Sequence, residues 1–166
     1  GVVVITPSAT SPALTEGKNF HFIFRTIGRD DQQGPAAAKF IINKAKPKKV
    51  AVLHDKQSYG QGIAASVRDE LKKANVEVAL FEGINAGDSD YSAVITKLKS
   101  AGADFVYYGG YHPEMGLLLR QAAEQGLKVN LLQVREGVAM NQDHECYSLL
   151  LALPHGVSLP QEVFNL

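Results

Sequence analysis

Cysteine is all but missing from this chain: Cys146 is the single one among 166 residues, so no intramolecular disulfide framework can staple the fold. Net charge is missing too, because 17 Lys and Arg are matched by 17 Asp and Glu. That balance leaves no dominant basic field for nucleic acid or an anionic membrane surface, and it suits small neutral or zwitterionic ligands. No apolar run approaches the roughly 20 residues of a membrane span, which excludes membrane insertion by a helix of this sequence. The first residues, Gly1-Val2-Val3-Val4-Ile5-Thr6-Pro7, have no basic segment and no small-residue cleavage site, so they do not read as a signal peptide. They read as a strand entered abruptly, which predicts that the chain is a piece of something longer. Repeats, low-complexity tracts and linkers are absent as well. What is present is a 45% hydrophobic content, enough for one sizeable core.

The hydrophobic residues alternate between two periods. Val2 to Thr6, Phe22 to Phe24, Val50 to His54, Val76 to Phe81, Phe105 to Tyr108, Val129 to Val134 and Leu149 to Leu153 are short β-rich runs. The unbroken Val2–Thr6 run predicts a strand buried on both faces. Between the runs, helical spacing appears over 32–46, from the Ser58 turn to about Ala74, over 91–100 and over 113–125. Asp30 or Asp31 offers a cap for the first of these helices, and Pro47 stops it. Lys44, Lys46, Lys48 and Lys49 crowd its end, where cations complement the helix dipole, so they read as a solvated end and not as a phosphate site. Ser158-Leu159-Pro160-Gln161 has the outline of a capped terminal helix. Strand and helix in turn, with short connections, predict an α/β fold: an open parallel sheet with helices on both faces.

In such a sheet ligands bind beyond the carboxyl ends of the strands. Phe105-Val106-Tyr107-Tyr108-Gly109-Gly110-Tyr111-His112-Pro113-Glu114 is an apolar run that breaks at two glycines and restarts as a helix at Pro113, which places Tyr111 at the sheet's mouth. Tyr59 occupies the same station after Val50–His54, and two tyrosines so placed can face one crevice. The plainer reading of either is a rim tyrosine with a wet hydroxyl. Ser8-Ala9-Thr10 forms a polar loop after the first run, able to offer amides and hydroxyls to a carboxylate or simply to cap the next segment. Glu136, near a third strand end, is either a surface acid or helix cap, or an anion that could receive an amino group.

Other patterns compete. Gly60-Gln61-Gly62-Ile63-Ala64-Ala65, followed by Glu82, satisfies a dinucleotide-binding spacing, yet Asp55 to Tyr59 intervene between the strand and the first glycine. His112 with Glu114, and Asp143-His144-Glu145-Cys146, could be drawn as metal clusters but lack ligand spacing. Glu114 is explained as a first-turn acid favoured by the dipole. No nucleophile, base and orienting group fall together at the strand ends, so no catalytic residue, cofactor or metal is expected.

The segments Ile5-Thr6-Pro7-Ser8-Ala9-Thr10-Ser11-Pro12, Phe24-Arg25-Thr26, Asp31-Gln32-Gln33-Gly34-Pro35, His54-Asp55-Lys56-Gln57-Ser58-Tyr59-Gly60 and Phe105 to Met115 resemble the periplasmic branched-chain amino-acid-binding proteins, the leucine/isoleucine/valine receptors of bacterial ABC importers. The resemblance implies a type I periplasmic-binding fold in which two lobes close on one amino acid. It implies that Ser8, Ala9 and Thr10 hold the ligand's charged groups, that Tyr59 and Tyr111 contribute from the second lobe, and that Glu136 pairs with the ammonium. Where the family carries Gly-Pro before that acid, this chain has Val134-Arg135. Residues 1–22 would be the last strand and loop of the first lobe, 23–154 a flavodoxin-like second lobe and 155–166 an irregular tail. The implied partners are an amino acid and a membrane permease, the implied compartment is the periplasm, and an uncovered sheet edge would permit a dimer. A sensor domain of the same fold is the alternative function, and a nucleotide-using enzyme a more distant one.

Overall fold

Five consecutive buried residues, Val50–His54, form β3, the middle of the architecture. A strand whose residues are all buried must be covered on both faces, and the two halves of the core show how. In the computed structural model, which describes residues 1–16, 21–140 and 146–152 (the backbone alone for 134–140 and 146–152), the elements run β1 (Val4–Thr6), β2 (Ile23–Arg25), α1 (Asp30–Phe40), β3, α2 (Ser58–Lys73), β4 (Val78–Gly83), α3 (Ser92–Ala101), β5 (Phe105–Gly109), α4 (His112–Glu124), β6 (Asn130–Met140) and β7 (Cys146–Ala152). Val50 and Val52 with Phe105, Tyr107 and Leu132 face α1 and α2. Ala51 and Leu53 with Val106, Tyr108 and Leu131 face α3 and α4. The period of two in the strands thus feeds two layers of helix, and each fully buried Leu, Ile, Val or Phe contributes about 1.5–3 kcal/mol.

The main sheet has five strands in the order β4-β3-β5-β6-β7. β4, β3, β5 and β6 are mutually parallel, and the edge strand β7 runs antiparallel to β6. An antiparallel edge strand follows a short return and needs no crossover helix. The chain leaves β3 through α2 toward β4 on one side, and β5 pairs with β3 on the other. The gap between β3 and β5 is therefore the point where the strand order reverses.

The first strand departs from expectation. β1 pairs in parallel with β2 in a separate two-stranded sheet, and it is not buried on both faces: Ile5 is 62% exposed and Phe24 on β2 is 53% exposed. An apolar β-branched run reports that burial suits it, and nothing among the described residues covers these faces. Three further boundaries shift. The first helix begins at Asp30 with Arg29 as its cap residue, whose amide donates to Gln32 Oε1 at 3.2 Å, so neither Asp30 nor Asp31 caps it. It ends in a π-helical turn over Ile41–Ala45, closed by Lys46 in the left-handed conformation. β6 runs past Val134, where the strand-like run ends in the sequence, to Met140; β7 pairs with it from Leu131 to Arg135 and again at Met140, with an irregularity between. The helix expected at 158–161 lies outside the described residues.

Close approach at the switch point depends on Gly60 and not on Gly62. A Cβ on Gly60 would stand inside van der Waals contact with the Asp55 carboxylate and 2.5 Å from the Gly109 carbonyl oxygen. One on Gly62 would meet nothing closer than Asp30 Oδ2 at 3.7 Å. Gly60→Ala is expected to lower the unfolding free energy by at least about 2 kcal/mol through overpacking. Gly62→Ala is expected to raise it by about 0.5–1 kcal/mol, the ordinary gain of alanine over glycine within a helix. Urea denaturation followed by circular dichroism separates the two.

Candidate functional site

β3 and β5 end side by side, His54 opposite Gly109, and their outgoing helices depart to opposite faces of the sheet. A crevice must open where two neighbouring connections diverge. Tyr59, in the first turn of α2, and Tyr111, the residue preceding α4, stand at its two sides with ring centroids 5.6 Å apart and planes tilted by 41°. The tilt and spacing are those of a favourable aromatic pair. Tyr59 is half-buried, and Tyr111 is 54% exposed. The two residues singled out from their matching stations are brought together.

The first glycine of the dinucleotide-like pattern faces inward instead, and the second, Gly62, is exposed. Gly60 packs on Gly109 and Asp55, so the backbone that would have to approach a pyrophosphate is occupied by the neighbouring strand end. The spacing Gly60 to Ala65 serves the close seating of α2 on β5.

Beneath the tyrosines lie carboxylates whose burial was not foreseen. Asp55 is buried, its Oδ1 accepts the Gln57 amide at 2.9 Å, and its own amide donates to the Gly109 carbonyl at 3.1 Å. Desolvation raises its carboxyl above the ordinary 3.8, with nearby Glu114 adding to the rise and the Gln57 amide opposing it. Glu114 is in the first turn of α4, as expected, but it is buried and its Oε1 accepts the Gly87 amide at 3.1 Å. Its work is to fasten the loop after β4, alongside Gln121, which accepts from the Tyr91 amide at 2.7 Å and donates to the Ser89 carbonyl at 2.7 Å. His54 Nδ1 accepts the Lys56 amide at 3.1 Å, and burial holds the imidazole below 6.5. The signal for these groups was available: an acid or histidine at a strand end that precedes a helix is placed to bond the first free amides.

The Ser8-Ala9-Thr10 loop is more deeply committed than its composition indicates. Thr6 Oγ1 accepts the Ala9 amide at 3.0 Å and the Ser8 amide at 3.4 Å. Thr10 is buried, its carbonyl accepts the Asp30 amide at 3.1 Å, and its hydroxyl stabilises the charged Asp30 carboxylate. Ser8 is exposed and Ala9 partly so. Glu136 lies on β6 at a position whose side chain is outside the described set, as is the run Asp143-His144-Glu145-Cys146. His112 is exposed at the start of α4, and among the described residues no three His, Cys, Asp or Glu side chains are grouped as a metal would require.

Residues 1–144 match the family model described as "Periplasmic binding protein". The chain belongs to the periplasmic binding protein family. This periplasmic binding protein chain is 58% identical over 132 residues to the leucine-, isoleucine-, valine-, threonine-, and alanine-binding protein of Pseudomonas aeruginosa, covering 80% of this chain and 35% of that protein. It is 54% identical over 139 residues to the Leu/Ile/Val-binding protein of Citrobacter freundii, covering 84% of this chain and 37% of that one. The chain thus spans little more than a third of the length of these curated relatives. Among solved structures, a leucine binding protein from Thermotoga maritima superposes with a TM-score of 0.72 at 25% identity, over 84% of this chain and 47% of that one. A branched-chain amino acid transporter substrate binding protein from Streptococcus pneumoniae, in complex with isoleucine, gives 0.70 at 25% identity, over 84% and 46%. The parallel α/β architecture is that of the family.

The two buried titratable groups at the end of β3 act in opposite directions with pH. His54 is held below 6.5, so the stability it contributes is complete above 6.5 and is lost as pH falls through that value toward its folded pKa. Asp55 is held above 3.8, so the cost of its buried charge is complete above its folded pKa and is relieved as pH falls through it. Asp55→Asn keeps an acceptor for Gln57 and removes the charge. It is expected to leave the melting temperature unchanged or higher at pH 8 and to give no gain near pH 3.8, whereas Asp55→Ala costs about 1–3 kcal/mol throughout by orphaning the Gln57 amide. Calorimetric melting from acid to pH 8 checks both.

Proposed function

We propose that this chain is a solute-recognition domain for a branched-chain amino acid, supplying one wall of a site in an ABC-type import receptor of the periplasm. The observation that carries the reading is the Tyr59–Tyr111 pair standing over the switch point between β3 and β5. Two half-open aromatic faces offer an aliphatic side chain a surface to lie on, while Ser8, Ala9 and Thr10, and Glu136 on β6, would receive the carboxylate and ammonium. In this reading the five-stranded domain is the second lobe and β1 belongs to the first; β2, expected within the second lobe of 23–154, is grouped with the first because it pairs with β1. The exposed faces of Val4, Ile5, Phe22 and Phe24 are then the surface on which further first-lobe structure would pack. A permease of the importer is the proposed macromolecular partner of the complete receptor.

A closing receptor gains affinity by burying its ligand between two walls. With the opposite wall largely unsupplied, the chain by itself is expected to bind leucine only weakly. Amide NMR spectra with leucine, isoleucine or valine near millimolar concentration are expected to move the resonances of Tyr59, Tyr111 and Thr10, and NAD or ATP to move none. Tyr111→Ala should abolish the leucine-dependent shifts without unfolding the chain, since Tyr111 is mostly exposed. Calorimetric detection of micromolar or tighter leucine binding contradicts the half-site reading. Shifts produced by a nucleotide and not by the amino acids contradict amino-acid recognition altogether.

A further inference from the structure

The loop that carries Ser8, Ala9 and Thr10 has little apolar anchorage of its own, yet Thr10 is buried. Besides the Thr6 hydroxyl, which accepts the Ser8 and Ala9 amides, its anchorage comes from the two charged residues that flank the passage from β2 into α1. Arg25, the last residue of β2, donates from Nη2 to the Ser11 carbonyl at 2.9 Å and to Thr15 Oγ1 at 3.2 Å. Asp30, the first residue of α1, donates its amide to the Thr10 carbonyl at 3.1 Å, and its carboxylate is stabilised by the Thr10 hydroxyl and by the charge of Arg25. The loop is therefore gripped at adjacent residues, Thr10 from the main-sheet side and Ser11 from the β1–β2 side.

The same carboxylate lies near α2 and β5. Asp30 is buried, it lies close to the first turns of α2 at Gly62, and both it and Tyr59 act electrostatically on the hydroxyl of Tyr107, which is wholly buried on β5. Among the described residues Asp30 Oδ1, Arg25 Nη1 and the Tyr107 hydroxyl have no hydrogen-bond partner. Desolvation opposes the buried Asp30 carboxylate, and the Thr10 hydroxyl and the charge of Arg25 offset that cost in part.

We propose that Arg25 and Asp30 are positioning residues: a charged strut in which Arg25 fastens the loop at Ser11 and Thr15 to β2 and Asp30 fastens it at Thr10 to α1, so that Thr10 is set in place. Neither residue touches ligand in this assignment. They act through the loop, which deepens the amino-acid reading above and rests on it only for the identity of what Thr10 contacts.

The test uses the chain as it is, with Asp30→Ala, Asp30→Asn, Arg25→Met and Arg25→Lys, and Asp31→Asn as a neighbouring exposed acid for control. Without ligand, Asp30→Ala and Arg25→Met are expected to shift the Ala9 and Thr10 amide resonances and to speed hydrogen exchange of the residue-30 amide by roughly tenfold, the scale of one charge-assisted hydrogen bond. Asp30→Asn and Arg25→Lys should restore part of that protection, and Asp31→Asn should change neither. With millimolar leucine, the Asp30→Ala chain should keep the Tyr111 shift and lose the Thr10 shift. If Asp30→Ala fails to fold, Asp30→Asn and Arg25→Lys are read alone, and unchanged exchange and unchanged loop resonances in both overturn the strut. Folded Ala and Met variants with an undisturbed loop overturn it equally. If leucine shifts nothing in the parent chain, the amino-acid reading fails, and the ligand-free exchange still decides the strut.

Discussion

The approach of two backbones, Gly60 of α2 to Gly109 of β5, is the constraint on which the rest of the candidate site depends. Each glycine faces the other's carbonyl oxygen, and a side chain at either would push α2 off the strand end. Because α2 is seated that closely, Tyr59, one residue earlier, is delivered to the mouth of the sheet. Because β5 ends there in Gly109-Gly110, Tyr111 is delivered from the other side, and the rings meet at 5.6 Å. The aromatic pair is thus a consequence of backbone packing, and its geometry is held by groups that never contact it.

Polar anchoring surrounds this apolar contact and is divided by face. On the α3 and α4 face, Asp55, Glu114 and Gln121 bond amides of the loops after β3 and β4, so those loops are fixed by side chains from beneath. At the start of α1, the Asp30 amide reaches the Thr10 carbonyl in the loop after β1, while Arg25 on β2 bonds the same loop at Ser11. Buried polar atoms without a hydrogen-bond partner occur in both sets: Asp55 Oδ2 and the Tyr108 hydroxyl in the first, Arg25 Nη1, Asp30 Oδ1 and the Tyr107 hydroxyl in the second.

Much of this was legible in the residues. Val50–His54 and Phe105–Gly109 are buried strands because their apolar runs are unbroken and each stops at polar or glycine residues, and the two tyrosines share one station relative to those runs. Periodicity does not encode strand direction, so the antiparallel β7 and its extended pairing with β6 were not visible. Nor does an apolar run say what covers it, which is why Val2–Thr6 reads as buried and its strand stands exposed. Asp30 was seen as a cap because the position next to a helix start favours that reading, and only the fold brings Thr10 to it. The dinucleotide-like spacing shows the converse: a motif is legible as a pattern of glycines, and its meaning lies in what a Cβ would strike.

These features together set how much a site of this kind can do. An aromatic pair with Tyr111 half in water gives an aliphatic side chain contact on one side only, so the apolar area removed from water is a fraction of what enclosure would remove. Against that fraction stands the full cost of immobilising a small ligand and of desolvating its two charged ends. The balance turns favourable only when a second surface both covers the aliphatic part and completes the hydrogen bonds to the charges. The loop of Ser8, Ala9 and Thr10 follows β1 and is bonded by Arg25 at Ser11 and by the Asp30 amide at Thr10. A polar loop tied to the start of α1 is the group in this chain that a covering surface would have to extend, because the aromatic faces alone offer no hydrogen bond to a charged end.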